Sequence, residues 1–407
     1  MKKYLFPILL LISLTFNVFS QEKKAIFILI DGVPADVLEQ VNTPILDEVA
    51  EAGGYTRAYV GGGKGTYSET PTISAPGYMN MVTGVWANKH NVWGNGVKAP
   101  NYNYWNAFRI LRHVAPEKKI AIFSTWLDNR TKLIGEGLPN AGNIMFDYAF
   151  DGFEFDTITF PHKPDRKYIL DIDELVSKET ARYIKAKAPD LSWVYLEFTD
   201  DMGHKFGDSP EMVDAVRKAD NQIGRIWKAI KERESRYDED WMIVVTTDHG
   251  RTLKDGKGHG GQSERERTTW IVTNHTDLNT RFQDNPAIVD VMPSILAHME
   301  VGLPNELKSE IDGVSFVKAI SVSEAHASLE NNQLKVTWKA APKNAAIEVH
   351  MAHTNYFAKG GKDNYELIGT ADLSKGVFEK RLSLEKGTYK ILLKTADNWV
   401  NTWLVIE

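Results

Sequence analysis

Four segments of this chain are almost wholly apolar and run into polar or acidic residues: "KKAIFILIDGV" from Lys23, "KKIAIFSTW" from Lys118, "LSWVYLEFTDD" from Leu191 and "WMIVVTTDHG" from Trp241. A strand with apolar side chains on both faces must be covered on both faces, which is the situation of a parallel sheet between helices. Amphipathic helical patterns lie between these segments: "TPILDEVAEAG", "YWNAFRILRHVA", "DIDELVSKETARYIKAKA" and "PEMVDAVRKADNQIGRIWKAIKERE". The alternation predicts an α/β sandwich with a mostly parallel central sheet flanked by helices. Ligands of such folds gather at the carboxyl ends of the strands, and Asp31, Asp200 and Asp248 are expected there.

The pattern changes near residue 319. "QLKVTWKA", "AIEVHMAHT", "YELIGTADL", "VFEKRLSL", "TYKILLKTAD" and "VNTWLVIE" are short segments with partial period-2 alternation, divided by Gly, Asn, Pro and Lys. They predict a small C-terminal all-β domain over 319–407, of fibronectin or immunoglobulin size. Trp399 and Trp403, four apart, share one face of a strand, either as a binding platform or, the favoured reading, as sandwich core. "AIVDVMPSILAHME" reads as one more helix of the preceding unit, which spans 21–318.

Residues 1–20 read as a signal peptide. Lys2 and Lys3 precede the apolar run "YLFPILLLISLTFNVF", and Ser20 stands before the expected cut. The expected location is secreted or periplasmic, with no transmembrane anchor left after cleavage. The chain has no cysteine, so disulfides and thiolate ligands are excluded, and any metal must be held by His, Asp, Glu and hydroxyl groups. The net charge is −6 with no basic cluster, so no nucleic-acid binding platform is expected.

Chemistry is concentrated in a few places. Asp200 and His204 lie four apart, a spacing that shares one face of a helical turn. Asp248 and His249 follow "MIVVTT", and His259 sits in "GKGHGG". In "PTISAPGYMNMVTG", residues 71–84, Ser74 stands at the start of a helix and is either its cap or a nucleophile. Three Asp, three His and one Ser form a donor set suited to two metal ions with mixed N and O ligands.

These motifs, "LIDG", "PTISAPGYMNMVTG", "DDMGHKFG", "TTDHGR" and "GHGG", resemble the successive motifs of the alkaline phosphatase superfamily, nearest to its nucleotide pyrophosphatase/phosphodiesterase branch. The resemblance covers roughly residues 24–318, including "VDVMPSILAHM" and "IDGVSFV", and leaves out the C-terminal β segment. It implies an alkaline-phosphatase-like sandwich and two zinc ions. Asp31, Asp248 and His249 would hold one zinc together with Ser74, and Asp200, His204 and His259 the other. Ser74 takes the position of the branch's usual threonine nucleophile, two residues after Thr72. Asn95, in "HNVWGNG", matches an asparagine that contacts a non-bridging phosphoryl oxygen.

The implied reaction is hydrolysis of a phosphate ester through a phosphoseryl intermediate, with a phosphodiesterase favoured. The alternative is a phosphomonoesterase, for which Arg130 and Lys132 are the candidate extra cations. Trp126 stands about where one monoesterase branch has a lysine. A sulfatase is less favoured: "SAPGY" puts Tyr78 where the S-x-P-x-R motif has arginine, and three histidines suit zinc better than calcium. A non-catalytic binding protein is the remaining class. Small-molecule, glycan and lipid phosphate esters are the substrate classes in view. By position, specificity is expected in 61–70, 86–106 and 150–168.

Overall fold

The computed structural model describes residues 21–406; the signal peptide expected in 1–20 lies outside the described residues. Strands β1 (Glu22–Ile30), β2 (Gly54–Tyr59), β3 (Ile120–Ser124), β4 (Tyr148–Phe150), β5 (Leu191–Leu196), β6 (Glu239–Thr246) and β7 (Thr268–Thr273) form one sheet in the order β2-β7-β6-β1-β5-β3-β4. All neighbours pair in parallel except β7, which is antiparallel to both β6 and β2. The four strands that the sequence predicts are the contiguous centre, β6-β1-β5-β3. Strands β2, β4 and β7 are additions to that expectation. β2 is half exposed and β4 has three residues, so neither carries a long apolar run.

Alternation along β1 divides the interior into two layers. Ala25, Phe27 and Leu29 join one core with α1 (Ser74–Thr83) and the helix Val291–His298. Ile26, Ile28 and Ile30 join the other, with α3 (Lys167–Lys187) and α5 (Pro210–Glu234). Two shorter helices are α2 (Ala87–His90), just after α1, and α4 (Phe198–Phe206), just after β5. α5 starts where the sequence signals it: Ser209 accepts a hydrogen bond from Met212 N at 3.2 Å, and Pro210 fills the first helical position. No described helix is long and apolar enough to cross a membrane.

A second, all-antiparallel region begins at Val322. Its strands are β8 (Val322–Glu330), β9 (Gln333–Ala340), β10 (Ala346–Ala352), β11 (Glu366–Asp372), β12 (Val377–Arg381), β13 (Gly387–Lys394) and β14 (Trp399–Ile406). They form a four-stranded sheet, β11-β10-β13-β14, and a three-stranded one, β12-β9-β8. Leu334, Val336, Ile347, Val349, Ile391, Leu393, Val400 and Leu404 belong to the core of this region. Trp399 and Trp403 do not, contrary to expectation. Val400 and Leu404 take the inward positions of β14, so the register turns Trp399, Asn401 and Trp403 the other way. Trp403 meets Tyr67 edge-on at 5.0 Å, with Lys89 and Lys390 over its ring at 5.6 and 5.5 Å. Period 2 fixes which residues share a face, not which face is inside.

This outer face of β14 is joined to the rest of the chain by buried charges. Lys390 Nζ donates to Glu310 and Asp363, each at 2.7 Å, and all three side chains are at most 3% exposed. Lys89 on α2 is buried with Asp312 and donates to Asn401 Oδ1 at 2.8 Å. Removing one partner of a buried pair leaves the other charge desolvated and uncompensated. Lys390→Ala is therefore expected to cost about 3–5 kcal/mol in urea denaturation. Lys362→Ala, which breaks an exposed pair with Glu306, should cost less than about 1 kcal/mol.

Candidate active site

The sheet brings its strand ends into register. Leu29 of β1 lies opposite Thr246 of β6, so Asp31 and Asp248, each two residues further, leave adjacent strands at the same level. Both are buried. Gly32, at φ +62, turns the chain immediately after Asp31; a Cβ there would lie 2.5 Å from Asp200 Oδ1. Asp200 and His204 lie one turn apart on α4, whose first N–H groups are tied down from α3: Asp173 accepts from Glu197 N at 3.1 Å and from Phe198 N at 2.9 Å. His249 follows β6 and His259 lies in the glycine loop beyond it.

The carboxylates are half satisfied. The Tyr195 phenol donates to Asp31 Oδ2 at 2.6 Å, Tyr78 donates to the same atom, and the two phenolic oxygens are 2.8 Å apart. Gly32 N donates to Asp248 Oδ1 at 3.1 Å. The other oxygens, Asp31 Oδ1 and Asp248 Oδ2, are buried with no hydrogen-bond partner, at 3.5 and 3.3 Å from His249 Nε2. Such orphaned buried carboxylate oxygens cost free energy unless a cation meets them.

The histidines are oriented to match. His249 Nδ1 lies 2.9 Å from Gly250 O and His259 Nδ1 lies 3.0 Å from Thr72 O. A carbonyl accepts only, so each Nδ1 carries the proton and each Nε2 presents a lone pair. The two rings stack at 3.7 Å. His204 Nε2 is 3.1 Å from His259 Nε2 and 3.3 Å from Asp200 Oδ2.

Two groups of donor atoms fall within 4.8 Å of one another: Asp31, Asp248 and His249, and Asp200, His249 and His259. The first is the set expected from the sequence. In the second, His249 joins Asp200 and His259, while His204 stands beside them and half its side chain is exposed.

Electrostatics fit the same picture. Burial and the nearby Asp200 carboxylate push Asp31 up to about 7, and burial with Asp31 alongside raises Asp248 well above its ordinary value. Burial lowers His249 and His259, keeping both neutral. Asp200 is the exception: despite burial, the hydrogen bond from His204 and the Arg251 guanidinium hold it below the usual carboxylate range. Arg251 is itself buried. It donates to Gly32 O at 2.8 Å and to Asp200 O at 2.9 Å, and it pairs with the Asp200 carboxylate. Gly203 lets it pass, since a Cβ there would meet Arg251 Cζ at 2.1 Å.

Ser74 opens α1, but Ile73 is the cap residue and the serine makes no capping hydrogen bond. Its Oγ lies instead 3.5 Å from His249 Nε2. The second N–H of the helix, Ala75 N, donates to Asn95 Oδ1 at 3.0 Å. Ser74 and Asn95 line one pocket of 330 Å³ with Asp31, Tyr78, Trp126, Asp128, Tyr195, Glu197 and Asp200. No residue of 61–70 or 150–168 lines it, whereas Asn95 belongs to 86–106 as expected. Neither Arg130 nor Lys132 lines it: Asp151 and Glu136 hold Arg130, and Asp128 pairs with Lys132 at 2.7 Å. Sequence reasoning missed Tyr78, Tyr195, Arg251 and Glu197 as parts of this site. Tyr78 alone carried a signal, lying within the serine motif.

The segment leading to Asn95 is fixed to α1 by His90. Its Nδ1 accepts from Val92 N at 3.1 Å and its Nε2 meets Asn80 Oδ1 at 2.8 Å. Burial lowers the His90 imidazole from 6.5 to about 3. The unfolded chain therefore takes up the proton first. The stability contributed by neutral His90 is complete above pH 6.5 and is lost as pH falls toward 3, by about 1.4 kcal/mol per unit. Urea denaturation at pH about 7 and about 5 should show wild type losing about 2 kcal/mol more than His90→Gln.

The chain has relatives among known proteins. The family profile described as type I phosphodiesterase / nucleotide pyrophosphatase matches residues 25–277. A pyrophosphatase/phosphodiesterase of Schizosaccharomyces pombe, itself uncharacterized, is 27% identical over 249 residues, covering 58% of this chain and 45% of its own. Ectonucleotide pyrophosphatase/phosphodiesterase family member 5 of Homo sapiens is 25% identical over 250 residues, covering 59% of this chain and 47% of its own. The chain spans about half the length of the curated relatives it matches. Among solved structures, a provisionally named sulfatase of Bacteroides fragilis superposes with a TM-score of 0.52 at 15% identity, covering 87% of this chain and 90% of that one. At that identity the likeness concerns the fold.

Proposed function

As this chain belongs to the type I phosphodiesterase / nucleotide pyrophosphatase family, we propose that it is a secreted or periplasmic zinc-dependent phosphodiesterase in which Ser74 is the nucleophile. The observation that carries the reading is the convergence of Ser74 Oγ and the orphaned oxygens of Asp31 and Asp248 on His249 Nε2. In this reading Asp31, Asp248, His249 and Ser74 hold one zinc, and Asp200, His204 and His259 hold the other. A donor set of imidazole nitrogens and carboxylate oxygens without thiolates suits zinc. When bound, the two ions favour the serine alkoxide and neutralise charge on the phosphoryl group.

The chain's own residues do the rest. Ser74 Oγ attacks phosphorus in line; the Oγ–P bond forms, the P–O bond to the leaving group breaks, and the departing alkoxide takes up a proton. Water then attacks the phosphoseryl group, restoring the hydroxyl and releasing the phosphate product. Asn95, through the Nδ2 left over from its bond to Ala75 N, and the Ser74 N–H that opens α1 face the non-bridging oxygens, where a helix N-terminus favours an anion. Tyr78 and Tyr195 hold Asp31 by one oxygen and leave the other for the ion. The catalytic unit is taken as 21–318 and the β unit as 319–407.

The pocket wall favours a diester over a monoester. Asp128 and Glu197 line it, Lys and Arg do not, and Trp126 supplies an apolar surface. A monoester dianion would find no side-chain cation in this lining for its second charge, whereas a diester carries one charge and a substituent that can lie on the indole.

Two outcomes check this. Ser74→Ala should retain its zinc by elemental analysis and lose at least about 10³-fold in kcat; wild-type-like turnover would remove Ser74 from the mechanism. In parallel assays on matched aryl substrates, the zinc-loaded enzyme should turn over the phosphodiester faster than the monoester. Sulfate ester turnover alone would overturn the substrate class.

A further inference from the structure

Asn95 sits on a loop whose two ends are held by the C-terminal β region. The loop spans residues 91–100 and is closed at its base by Asn101 N donating to His90 O at 2.8 Å. On the entry side, Lys89 donates to Asn401 Oδ1 on β14, and Asn401 Nδ2 donates to Ile311 O at 2.6 Å. On the exit side, Asn101 Nδ2 and Asn103 Nδ2 both donate to the carbonyl of Ala358, at 2.9 and 3.0 Å. Ala358 belongs to the short turn between β10 and β11, and Phe357 beside it packs on Tyr104 with ring centroids 5.1 Å apart.

The loop needs such support. Val97, two residues after Asn95, has φ +40. A β-branched residue adopts this region only when its surroundings impose it, at a cost of order 1–3 kcal/mol. Inside the loop the tethers are few: Asn91 Nδ2 to Ala99 O at 2.9 Å, Trp93 Nε1 to Asn91 Oδ1 at 2.9 Å and Val97 N to Gly94 O at 3.2 Å. His90 and the buried Val92 and Val97 seat the loop on α1, where Asn95 Oδ1 takes the Ala75 N–H beside Ser74, and the amides and the lysine hold its two ends.

We infer that the C-terminal β region is a positioning part of the catalytic site, clamping the Asn95 loop through Asn401 and the Ala358 carbonyl. The region is then neither a tethered binding module nor a spectator. Asn401, Asn101 and Asn103 act through Asn95 and do not touch the substrate. The inference rests on the reading of Asn95 as a phosphoryl contact.

The test is a double-mutant cycle on the full-length, zinc-loaded chain. Asn401→Ala and the pair Asn101→Ala/Asn103→Ala are each made with Asn95 intact and with Asn95→Ala. The readouts are kcat and KM on bis(p-nitrophenyl) phosphate, the affinity for orthovanadate, zinc content and thermal midpoint. With Asn95 intact, each clamp variant should lose about tenfold in kcat/KM, carried mainly by kcat, and should bind vanadate more weakly at unchanged zinc content. In the Asn95→Ala background the same changes should cost less than about twofold, because the group they position is gone. Equal losses in both backgrounds, or wild-type kcat/KM in the clamp variants, would overturn the inference and leave the Asn95 reading standing. A neutral Asn95→Ala would overturn both. If Asn401→Ala does not fold, the Asn101/Asn103 pair, which leaves the buried ion pairs untouched, carries the test alone.

Discussion

Two carboxylates buried side by side at the ends of adjacent parallel strands are the constraint around which this molecule is organised. Asp31 and Asp248 leave β1 and β6 in register and are both excluded from water. Each would repel the other, and burial alone disfavours their charged forms. The surroundings answer for half of each group. Two phenols take one oxygen of Asp31, and the Gly32 N–H takes one oxygen of Asp248. The remaining oxygens face a neutral imidazole whose proton is turned away toward Gly250 O. Every nearby donor is aimed so that a cation, and little else, completes the arrangement. Arg251, wedged through the gap left by Gly203, fixes Asp200 and the Gly32 turn and so holds the two donor groups at their relative distance.

The helix that carries Ser74 depends on the same arrangement. A serine at a helix entrance ordinarily spends its oxygen on the backbone. Here Asn95 takes the Ala75 N–H from across the pocket, Thr72 is tied to Gly261 O and Gly260 N at 2.8 and 3.0 Å, and the Ser74 hydroxyl is left to face His249. The segment before the serine is thus fixed to the loop that carries His259, and the residue after it to the loop that carries Asn95. The position of the hydroxyl is set by tertiary contacts on both sides and not by helix capping.

What was legible in the sequence depends on the range of the forces involved. Central strands were legible because burial on both faces demands uninterrupted apolar runs. Edge strands β2 and β4 are short or half exposed and carry no such run. Asp31, Asp200, Asp248 and His249 could be put forward as candidates because each sits in a local motif after a strand. Tyr195 and Arg251 were not, because their roles exist only across 164 and 51 residues of chain respectively. Sequence position suggests Arg130 and Lys132 for the phosphate, yet Asp151, Glu136 and Asp128 claim them, and no motif announces those pairs. Trp399 and Trp403 show the limit of periodicity: the spacing puts them on one face, and Val400 and Leu404 win the interior.

The junction between the two parts of the chain obeys the same physics as the buried carboxylates. A linker that only tethers a domain has no need to bury charge, since burying a lysine and two carboxylates together is costly unless each is matched. Lys390 meets Glu310 and Asp363, whose other oxygens take the Tyr365 hydroxyl at 2.9 Å and the Thr354 hydroxyl at 2.6 Å, Lys89 pairs with Asp312, and the two clusters flank the same face of β14. That face continues through Asn401 to α2 and the loop bearing Asn95. Charges buried at this seam hold one geometry only, because displacement by even one side-chain length leaves a carboxylate unpaired. A seam of this kind transmits position, and what it positions is the loop that brings Asn95 to the pocket.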